Sequence, residues 1–244
     1  MKVLVIPDCH LNPWMFAQAD TIMKKGIAEK AVCLMDLADD FGVHDDAQYL
    51  ETYDAAIAFA KKYPETLWCY GNHDLSYIWG KPETGFHPEK RGLVCQEIKK
   101  LTNALPKKSQ IAYIHKIDKT LFMHGGLANL FVQLRVAPQN RKNVLAVIKA
   151  INQMGCETMW AADSPIWYRP QLSPNQNAKR LYRGGKYLQV VGIRQSKKCI
   201  WKVECSPVIL SRPIVTGLRT GRSLSVLWIP LPGNLRRSKL HKCC

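Results

Sequence analysis

Residues 3–10 read VLVIPDCH, a short apolar run that ends directly in a proline, an aspartate, a cysteine and a histidine. Four or five such residues are enough for a strand buried on both faces of a sheet. Similar runs lie at residues 31–34, 66–70, 120–123 and 188–191, and helical patterns at residues 14–30 and 47–62 separate the first three. Alternating strands and helices predict an α/β fold with parallel strands and right-handed crossovers.

Polar clusters follow four of these runs, at the point where each predicted strand ends. The clusters are Asp8-Cys9-His10, Asp36-Leu37-Ala38-Asp39-Asp40, Gly71-Asn72-His73-Asp74 and His124-Gly125-Gly126. In open α/β sheets, ligands bind at the carboxyl ends of the strands. We therefore expect the four clusters to meet in one site.

The residue types in these clusters suit a site for two metal ions. Asp8 and His10 are alternate residues beyond a strand end and can turn to the same side. The carboxylate of Asp36 can bridge two cations, while Asn72 offers a neutral oxygen and His124 a nitrogen. This mixed set suits Mn, Fe, Zn or Co. Two such metals, about 3.5–4 Å apart, bind a bridging hydroxide and stabilise in-line displacement at phosphorus.

His73 is the predicted general acid, which would protonate the leaving alkoxide, and Asp74 is predicted to fix the tautomer of its ring. Gly71, Gly125 and Gly126 are predicted to let the backbone approach a phosphate. Each cluster is weak by itself, because such short motifs also occur by chance. The alternative is four polar loops on a Rossmann-like domain, and the joint order of the clusters argues against it.

Asp-x-His, an Asp-x-x-Asp block, Gly-Asn-His-Asp and His-Gly-Gly, in this order, resemble the calcineurin-like metallophosphoesterase family over residues 1–192. The resemblance implies a four-layer αββα sandwich, with two sheets face to face and helices outside. It also implies two divalent metal ions, Mn first, with Fe, Zn, Co or Ni as alternatives. Asp8, His10 and Asp36 would hold one ion, and Asp36, Asn72 and His124 the other.

Other positions depart from the family pattern or extend it. Met35 stands before Asp36 where the family usually has glycine. The arginine signature that follows this block in eukaryotic Ser/Thr phosphatases is absent, so protein phosphatase activity is not the default expectation. Trp167-Tyr168-Arg169 is similar to a phosphate-contacting segment of Ser/Thr and dinucleoside-polyphosphate phosphatases, which makes Arg169 a candidate phosphate clamp. Its alternative is a surface arginine. Residues 80–110 are predicted either to cap the site or to form a plain surface excursion.

The expected pattern breaks after the last predicted strand. The family has Gly-His followed by Thr or x-His, whereas this chain continues Gly192-Ile193-Arg194-Gln195-Ser196. Ile-Arg-Gln-Ser can be encoded by ATA CGC CAG TC, and one C in front of these bases gives CAT ACG CCA GTC, which encodes His-Thr-Pro-Val. In the same shifted frame, codons that are permitted for residues 225–235 can be read as FCVVDTVTWKF, which has the alternating pattern of a strand. We therefore predict a single-base frameshift at this point.

The tail at residues 193–244 carries much of the charge of the chain. It holds eleven Lys and Arg against one acid, Glu204, a balance of +10 within the formal net charge of +16. A basic, acid-poor tail is expected of an out-of-frame translation; the alternative is an arm that binds nucleic acid or another anionic surface. We predict a phosphoesterase domain at residues 1–192 and a tail that fails to supply the last strands of the second sheet, leaving that sheet incomplete.

The remaining composition favours a cytoplasmic enzyme. No apolar run approaches the roughly 18 residues needed to cross a bilayer, so no membrane partner is expected. The nine cysteines are odd in number and lack a zinc-type pair spacing, which indicates thiols in a reducing compartment. The predicted function is metal-dependent hydrolysis of phosphate esters; phosphoprotein, nucleotide, dinucleoside polyphosphate and nucleic acid are all open as substrates. The alternative is a catalytically impaired relative, or a basic anion- or nucleic-acid-binding protein, on the same scaffold.

Overall fold

The computed structural model describes residues 1–40, 42, 44–169, 181–192, 214–216 and 225–228 of the 244-residue chain. Its strands are β1 Lys2–Ile6, β2 Lys30–Cys33, β3 Leu67–Cys69, β4 Ile111–Ala112, β5 Ile114–Ile117, β6 Thr120–Met123, β7 Leu188–Val191, β8 Ile214–Thr216 and β9 Ser225–Trp228. Its helices are α1 Trp14–Lys24, α2 Asp46–Lys62, α3 Asn72–Trp79, α4 Arg91–Ala104, α5 Asn129–Arg135, α6 Val144–Ile151 and α7 Cys156–Met159, with 3₁₀ turns at Pro88–Lys90, Lys108–Gln110 and Pro138–Asn140.

The first sheet consists, in the described residues, of parallel strands in the order β4-β3-β2-β1-β9. The first three predicted strands are confirmed as β1, β2 and β3, with ends that differ by one residue. α1 joins β1 to β2 and α2 joins β2 to β3, as parallel neighbours require. α2 begins with a capping box, in which Asp45 Oδ1 accepts from Gln48 N (3.0 Å) and Gln48 Oε1 accepts from Asp45 N (3.3 Å).

The second sheet is mixed, and its described strands follow the order β5-β6-β7-β8. β5 and β6 form an antiparallel hairpin, β6 and β7 are parallel, and β7 and β8 are antiparallel. The strands predicted at residues 120–123 and 188–191 match β6 and β7 residue for residue. The apolar pattern did not predict β4 or β5, because β4 has only two residues and β5 is interrupted by His115 and Lys116.

Alternate residues of the strands divide the molecule into four layers. On β1, Leu4 packs beneath α1, α2 and α4, whereas its neighbour Val3 lies between the two sheets. On β6, Phe122 lies in the same core between the sheets, while Leu121 packs beneath α5 and α6. Successive strand residues point to opposite faces, so each sheet is buried on both sides. The predicted four-layer αββα architecture is confirmed.

Residues 80–110 contain α4, which extends beyond the helical piece predicted near residues 93–101. α4 packs against α2 and α3, and it buries Val94, Ile98 and Leu101 in the core on the first sheet. The helix therefore belongs to the outer helical layer and is not a plain surface excursion. Among the helices of the described segments, we find no membrane-spanning candidate.

The tail adds one described strand to each sheet. β9 pairs with β1, with Lys2 opposite Ser225 and Val5 opposite Trp228, and β8 pairs with β7. The expectation that the tail would not supply the last strands of the second sheet is therefore wrong for β8. Backbone groups pair along an open sheet edge with little regard to side chains, so an altered tail can still extend the ladder. The site of the predicted frameshift and most of the tail lie outside the described residues.

Candidate metal centre

Loops at the carboxyl ends of β1, β2, β3 and β6 bring the four polar clusters together. Hydrogen bonds extend the parallel pairing of β1 and β2 beyond the strands, from Cys9 N to Met35 O (3.0 Å) and from His10 N to Asp36 O (2.7 Å). Asp8 and His10 are thereby held beside the loop that carries Asp36. Directly after β7, Gly192 N donates to the carbonyl oxygen of His124 (2.8 Å), so this strand also ends at the centre.

The loops after β1 and β2 hold several side chains in left-handed backbone conformations. His10 (φ 41°), Leu11 (φ 56°), Met35 (φ 53°), Asp36 (φ 45°) and Asp39 (φ 63°) all have positive φ. Non-glycine residues rarely adopt this conformation, and it is concentrated at functional sites, where surrounding contacts hold it. The conformation of Met35 also explains why glycine is usual at this position in the family that the sequence resembles, since glycine adopts positive φ readily.

Two groups of potential metal ligands share the carboxylate of Asp36. The ligand atoms of Asp8, Asp36 and His124 lie within 4.8 Å of one another, and those of His10, Asp36 and His73 form a second such group. Asp36 Oδ2 lies 3.1 Å from His124 Nε2 and 3.8 Å from His10 Nε2. One carboxylate between two groups is the arrangement that a bridging ligand requires.

The histidines present a defined nitrogen to this centre. His124 Nδ1 lies 3.1 Å from the carbonyl oxygen of Leu34, and His10 Nδ1 lies 2.8 Å from that of Asp39. A carbonyl oxygen can only accept, so each Nδ1 carries a proton and, in a neutral ring, each Nε2 has its lone pair available to a cation. Asn72 Oδ1 lies 2.9 Å from His124 Nε2, so the amide oxygen faces the same point.

The electrostatics of the centre favour bound cations. Burial raises the pKa of Asp8. Burial also acts to raise the pKa of Asp36, but the charges of His124 and His73 outweigh it and lower that pKa below its ordinary value. Deeply buried carboxylates are stabilised by neighbouring positive charge, and a cation is the strongest local source of it. Two carboxylates, imidazole nitrogens and an amide oxygen therefore fit a divalent metal of the Mn to Zn group.

His73 contacts Asp39, where the sequence predicted Asp74 as its partner. His73 Nδ1 lies 3.3 Å from Asp39 Oδ2, and the His73 ring packs edge-on against the His10 ring, with centroids 5.1 Å apart. Burial acts to lower the pKa of His73, but the charges of Asp36 and Asp39 raise it to about 9. The Asp39 carboxylate can only accept, so His73 carries a proton on Nδ1. The sequence signal that could have identified this partner is the position of Asp39, three residues after Asp36 in the Asp-x-x-Asp block.

Asp74, at the start of α3, binds backbone groups instead of the His73 ring. Its carboxylate accepts hydrogen bonds from the backbone N–H groups of Asp36 (2.8 Å), Leu37 (3.0 Å) and Gly71 (3.1 Å). Consecutive residues of a helix point about 100° apart, so Asp74 cannot follow the direction of His73. Its contacts fix the turn that carries Asp36.

Arg169 reaches the centre from the segment after α7. Its Nη2 lies 3.2 Å from His124 Nε2 and 3.3 Å from Asn72 Oδ1. The hydrogen bond from Gly126 N to Tyr168 O (2.7 Å) holds this segment against the loop after β6. Arg169 is half-buried at the centre, in contrast to the alternative of a surface arginine, and its charge contacts two of the predicted ligand atoms.

The loop before α4 packs against the turn after β2, beside the candidate site. A Cβ added to Gly85 would lie 3.3 Å from the carbonyl oxygen of Asp40, and His87 N donates to the hydroxyl of Tyr77 (3.1 Å). The ring of Phe86 packs against that of Tyr77, with centroids 4.7 Å apart. These contacts hold the loop beside Asp39 and Asp40, and capping of the metal ligands stays a prediction.

Gly71 and Gly192 leave room for the buried carboxylates. A Cβ on Gly71 would overlap the carboxylate of Asp36, and a Cβ on Gly192 would overlap that of Asp8. A Cβ on Gly125 would lie 2.7 Å from the carbonyl oxygen of Pro165, in a neighbouring loop. These glycines therefore permit contacts within the protein, where the sequence had predicted close approach to a phosphate for Gly71 and Gly125.

We expect Gly71→Ala to weaken metal binding and to lower the free energy of unfolding by about 1–3 kcal/mol, the usual cost of forcing extra volume into a packed region. The added methyl must displace Asp36. Gly92→Ala is the matched control, because its methyl would meet no heavy atom within 4 Å. Metal titration and chemical denaturation measure both effects. Unchanged metal affinity in the Gly71 variant would contradict a ligand role for Asp36.

Comparisons with known proteins assign the chain to a family. No curated protein sequence matches the chain. A cold-active protein-tyrosine phosphatase of a psychrophile, Shewanella sp., aligns with a TM-score of 0.43 and 15% identity over 70% of this chain and 59% of that chain. A point mutant of a cold-active protein tyrosine phosphatase gives a TM-score of 0.44 with 15% identity and the same coverage. The chain thus spans 59% of the length of these structures. The family model for calcineurin-like phosphoesterases matches residues 1–184, from the first strand past the Arg169 segment, and this chain belongs to that family.

Proposed function

We propose that this chain hydrolyses phosphate mono- or diesters at a centre for two divalent metal ions. The observation that carries the proposal is the position of Asp36, whose carboxylate is shared by two groups of ligand atoms. Family membership supports a phosphate ester as the substrate class. Arg169, beside the same ligand atoms, adds a positive charge suited to a phosphate.

The residues that would hold the ions are Asp8, His10, Asp36, Asn72 and His124. Mn is the first candidate, and Fe, Zn, Co and Ni are alternatives, because the donor set mixes carboxylate, amide and imidazole groups. When bound, the two ions would supply a bridging hydroxide and neutralise phosphate oxygens.

The chain's own residues orient the substrate and move one proton. The Arg169 guanidinium binds non-bridging phosphate oxygens with its fork of N–H donors. His73 Nε2 gives its proton to the leaving oxygen, while its Nδ1–H stays bonded to Asp39. Asp74 holds the turn of Asp36 in place throughout.

Metal content and turnover of the purified chain test this proposal. We expect hydrolysis of a chromogenic phosphate ester that depends on added Mn and is lost with a chelator. A panel of a phosphoprotein, a nucleotide, a dinucleoside polyphosphate and a nucleic acid then narrows the substrate. Bound metal without turnover on any of these substrates would favour a catalytically impaired relative. Ile193 supports this candidate, because it stands where the family pattern expects a histidine. Absence of both metal and turnover would favour a basic binding protein and contradict the proposal.

We further propose that the coding frame changes by one base after Gly192. Gly192 lies against Asp8, so the chain leaves β7 beside the metal centre. The family pattern expects a histidine at the next position. The sequence has Ile193 there, and isoleucine cannot bind a metal. The basic, acid-poor composition of residues 193–244 is the second support.

Inserting one C after codon 192 is expected to raise metal affinity or activity by about 10–100-fold, the usual scale for altered groups at a metal site. The control is the same insertion with the new histidine codon changed to alanine, which separates the added ligand from the changed tail. Both must be compared at equal metal concentration, since excess Mn fills a weakened site by mass action. If the chain as given binds two metals and turns over equally fast, the tail is a genuine part of the enzyme.

We also propose a reducing, cytoplasmic location. The cysteines of the described residues, Cys9, Cys33, Cys69, Cys95 and Cys156, are free thiols, which supports a compartment that keeps them reduced. Cell fractionation of the full chain tests this location.

A further inference from the structure

Two buried tyrosines converge on the aspartate that contacts His73. The hydroxyls of Tyr49 and Tyr77 both donate to Asp39 Oδ1, at 2.9 Å and 2.5 Å. The other carboxylate oxygen, Oδ2, faces His73 Nδ1. Tyr49 and Tyr77 are fully buried and Asp39 is 1% exposed, so protein groups replace water around this carboxylate.

We propose that Tyr49 and Tyr77 are positioning residues for the proton transfer by His73. They hold the carboxylate of Asp39 in the one rotation that directs Oδ2 at the Nδ1–H of His73. This inference rests on the proposed phosphoesterase function, in which His73 Nε2 protonates the leaving oxygen.

The geometry explains why two donors on one oxygen matter. A carboxylate can rotate about its bond to Cβ and exchange its two oxygens, and an ionised carboxylate without donors is costly to bury. Two charge-assisted hydrogen bonds on Oδ1 stabilise the ionised form and oppose that rotation. Oδ2 then remains as the acceptor for His73, whose tautomer and ring direction follow from that single contact.

The same contacts connect Asp39 to the loop before α4. Tyr49 lies on α2, and Tyr77 lies on α3, the helix that begins at Asn72 and carries His73. The Tyr77 oxygen also accepts from the backbone N–H of His87 in that loop (3.1 Å). A donor to this oxygen polarises the hydroxyl and strengthens the bond that it donates to Asp39.

Tyr53 provides a matched control on the same helix. It lies one turn after Tyr49 on α2 and is also fully buried. Its hydroxyl has no hydrogen-bond partner in the described part of the chain. Tyr53→Phe therefore makes the same chemical change, at the same depth, without touching Asp39.

The kinetic test uses the full chain with Mn and two substrates, an alkyl phosphate and p-nitrophenyl phosphate. Tyr49→Phe and Tyr77→Phe are each expected to lower kcat on the alkyl phosphate by about 10-fold, the lower end of the range for supporting groups. KM should stay unchanged, and the loss should be smaller on p-nitrophenyl phosphate, whose leaving group needs little protonation. Tyr53→Phe should match the wild type on both substrates.

A second readout does not need turnover. Histidine NMR of the metal-free full chain reports the Nδ1–H signal of His73, assigned by its loss in His73→Ala. We expect this signal to move or broaden in Tyr49→Phe and Tyr77→Phe and to stay in place in Tyr53→Phe. Unchanged signals in both variants, or a kcat loss that is equal for the two substrates, would overturn the inference. If the two variants show the signal shifts but the wild type hydrolyses neither ester, the proposed function is refuted and the positioning of His73 by the tyrosines stands.

Discussion

Asp36→Asn is expected to remove most of the bound metal and nearly all Mn-dependent hydrolysis of a chromogenic phosphate ester. Asp36 is the carboxylate shared by the two ligand groups, so its replacement by a neutral amide weakens both positions at once. The loss should exceed the roughly 10–100-fold that altered supporting groups typically cause. The backbone should survive, because asparagine tolerates the positive φ of this position (45°).

Asp118→Asn is the matched control for this experiment. Asp118 has the same left-handed conformation (φ 50°) but lies exposed in the hairpin between β5 and β6. The control should keep the metal content and the turnover of the wild type. Elemental analysis and steady-state rates measure both variants. An Asp36→Asn protein with unchanged metal stoichiometry would refute the dinuclear assignment.

His73→Ala is expected to keep its metal and to lose rate by about 10²–10⁴, the contribution of a positioned general acid. His73 belongs to one of the groups that could hold a metal, but its Nδ1 contacts Asp39, and in the proposed mechanism its Nε2 serves the leaving oxygen. The loss should shrink for esters whose leaving groups need no proton. Metal analysis checks that the variant keeps its metal. Rates on an alkyl phosphate and on p-nitrophenyl phosphate check the loss of activity and its dependence on the leaving group.

The leaving-group dependence distinguishes the two roles open to this histidine. A metal ligand would affect every substrate, because the loss of metal removes the same chemistry from each. A general acid affects mainly the esters with poor leaving groups. Loss of metal from His73→Ala, with equal effects on both esters, would therefore assign His73 to the metal and not to proton transfer.

The strands that end at the site were predictable along the chain because buried parallel strands leave a strong local signal. The runs at β1, β2, β3, β6 and β7 are short and mostly apolar, and a polar cluster follows the first four of them. β4 and β5 were missed because one is too short to show a pattern and the other carries polar residues. β8 was not expected, since backbone pairing along a sheet edge depends little on side-chain identity.

The sequence by itself determined the residue types of the site and the strand ends that carry them, because metal chemistry selects a small set of side chains and parallel sheets place them at one edge. Only the tertiary structure decided which aspartate contacts His73, since Asp39 and Asp74 are both close to it in sequence or in space. It also decided that Tyr49 and Tyr77 meet at Asp39, from two different helices. Contacts of this kind depend on side-chain direction across elements, and a periodic pattern along the chain carries no information about that direction.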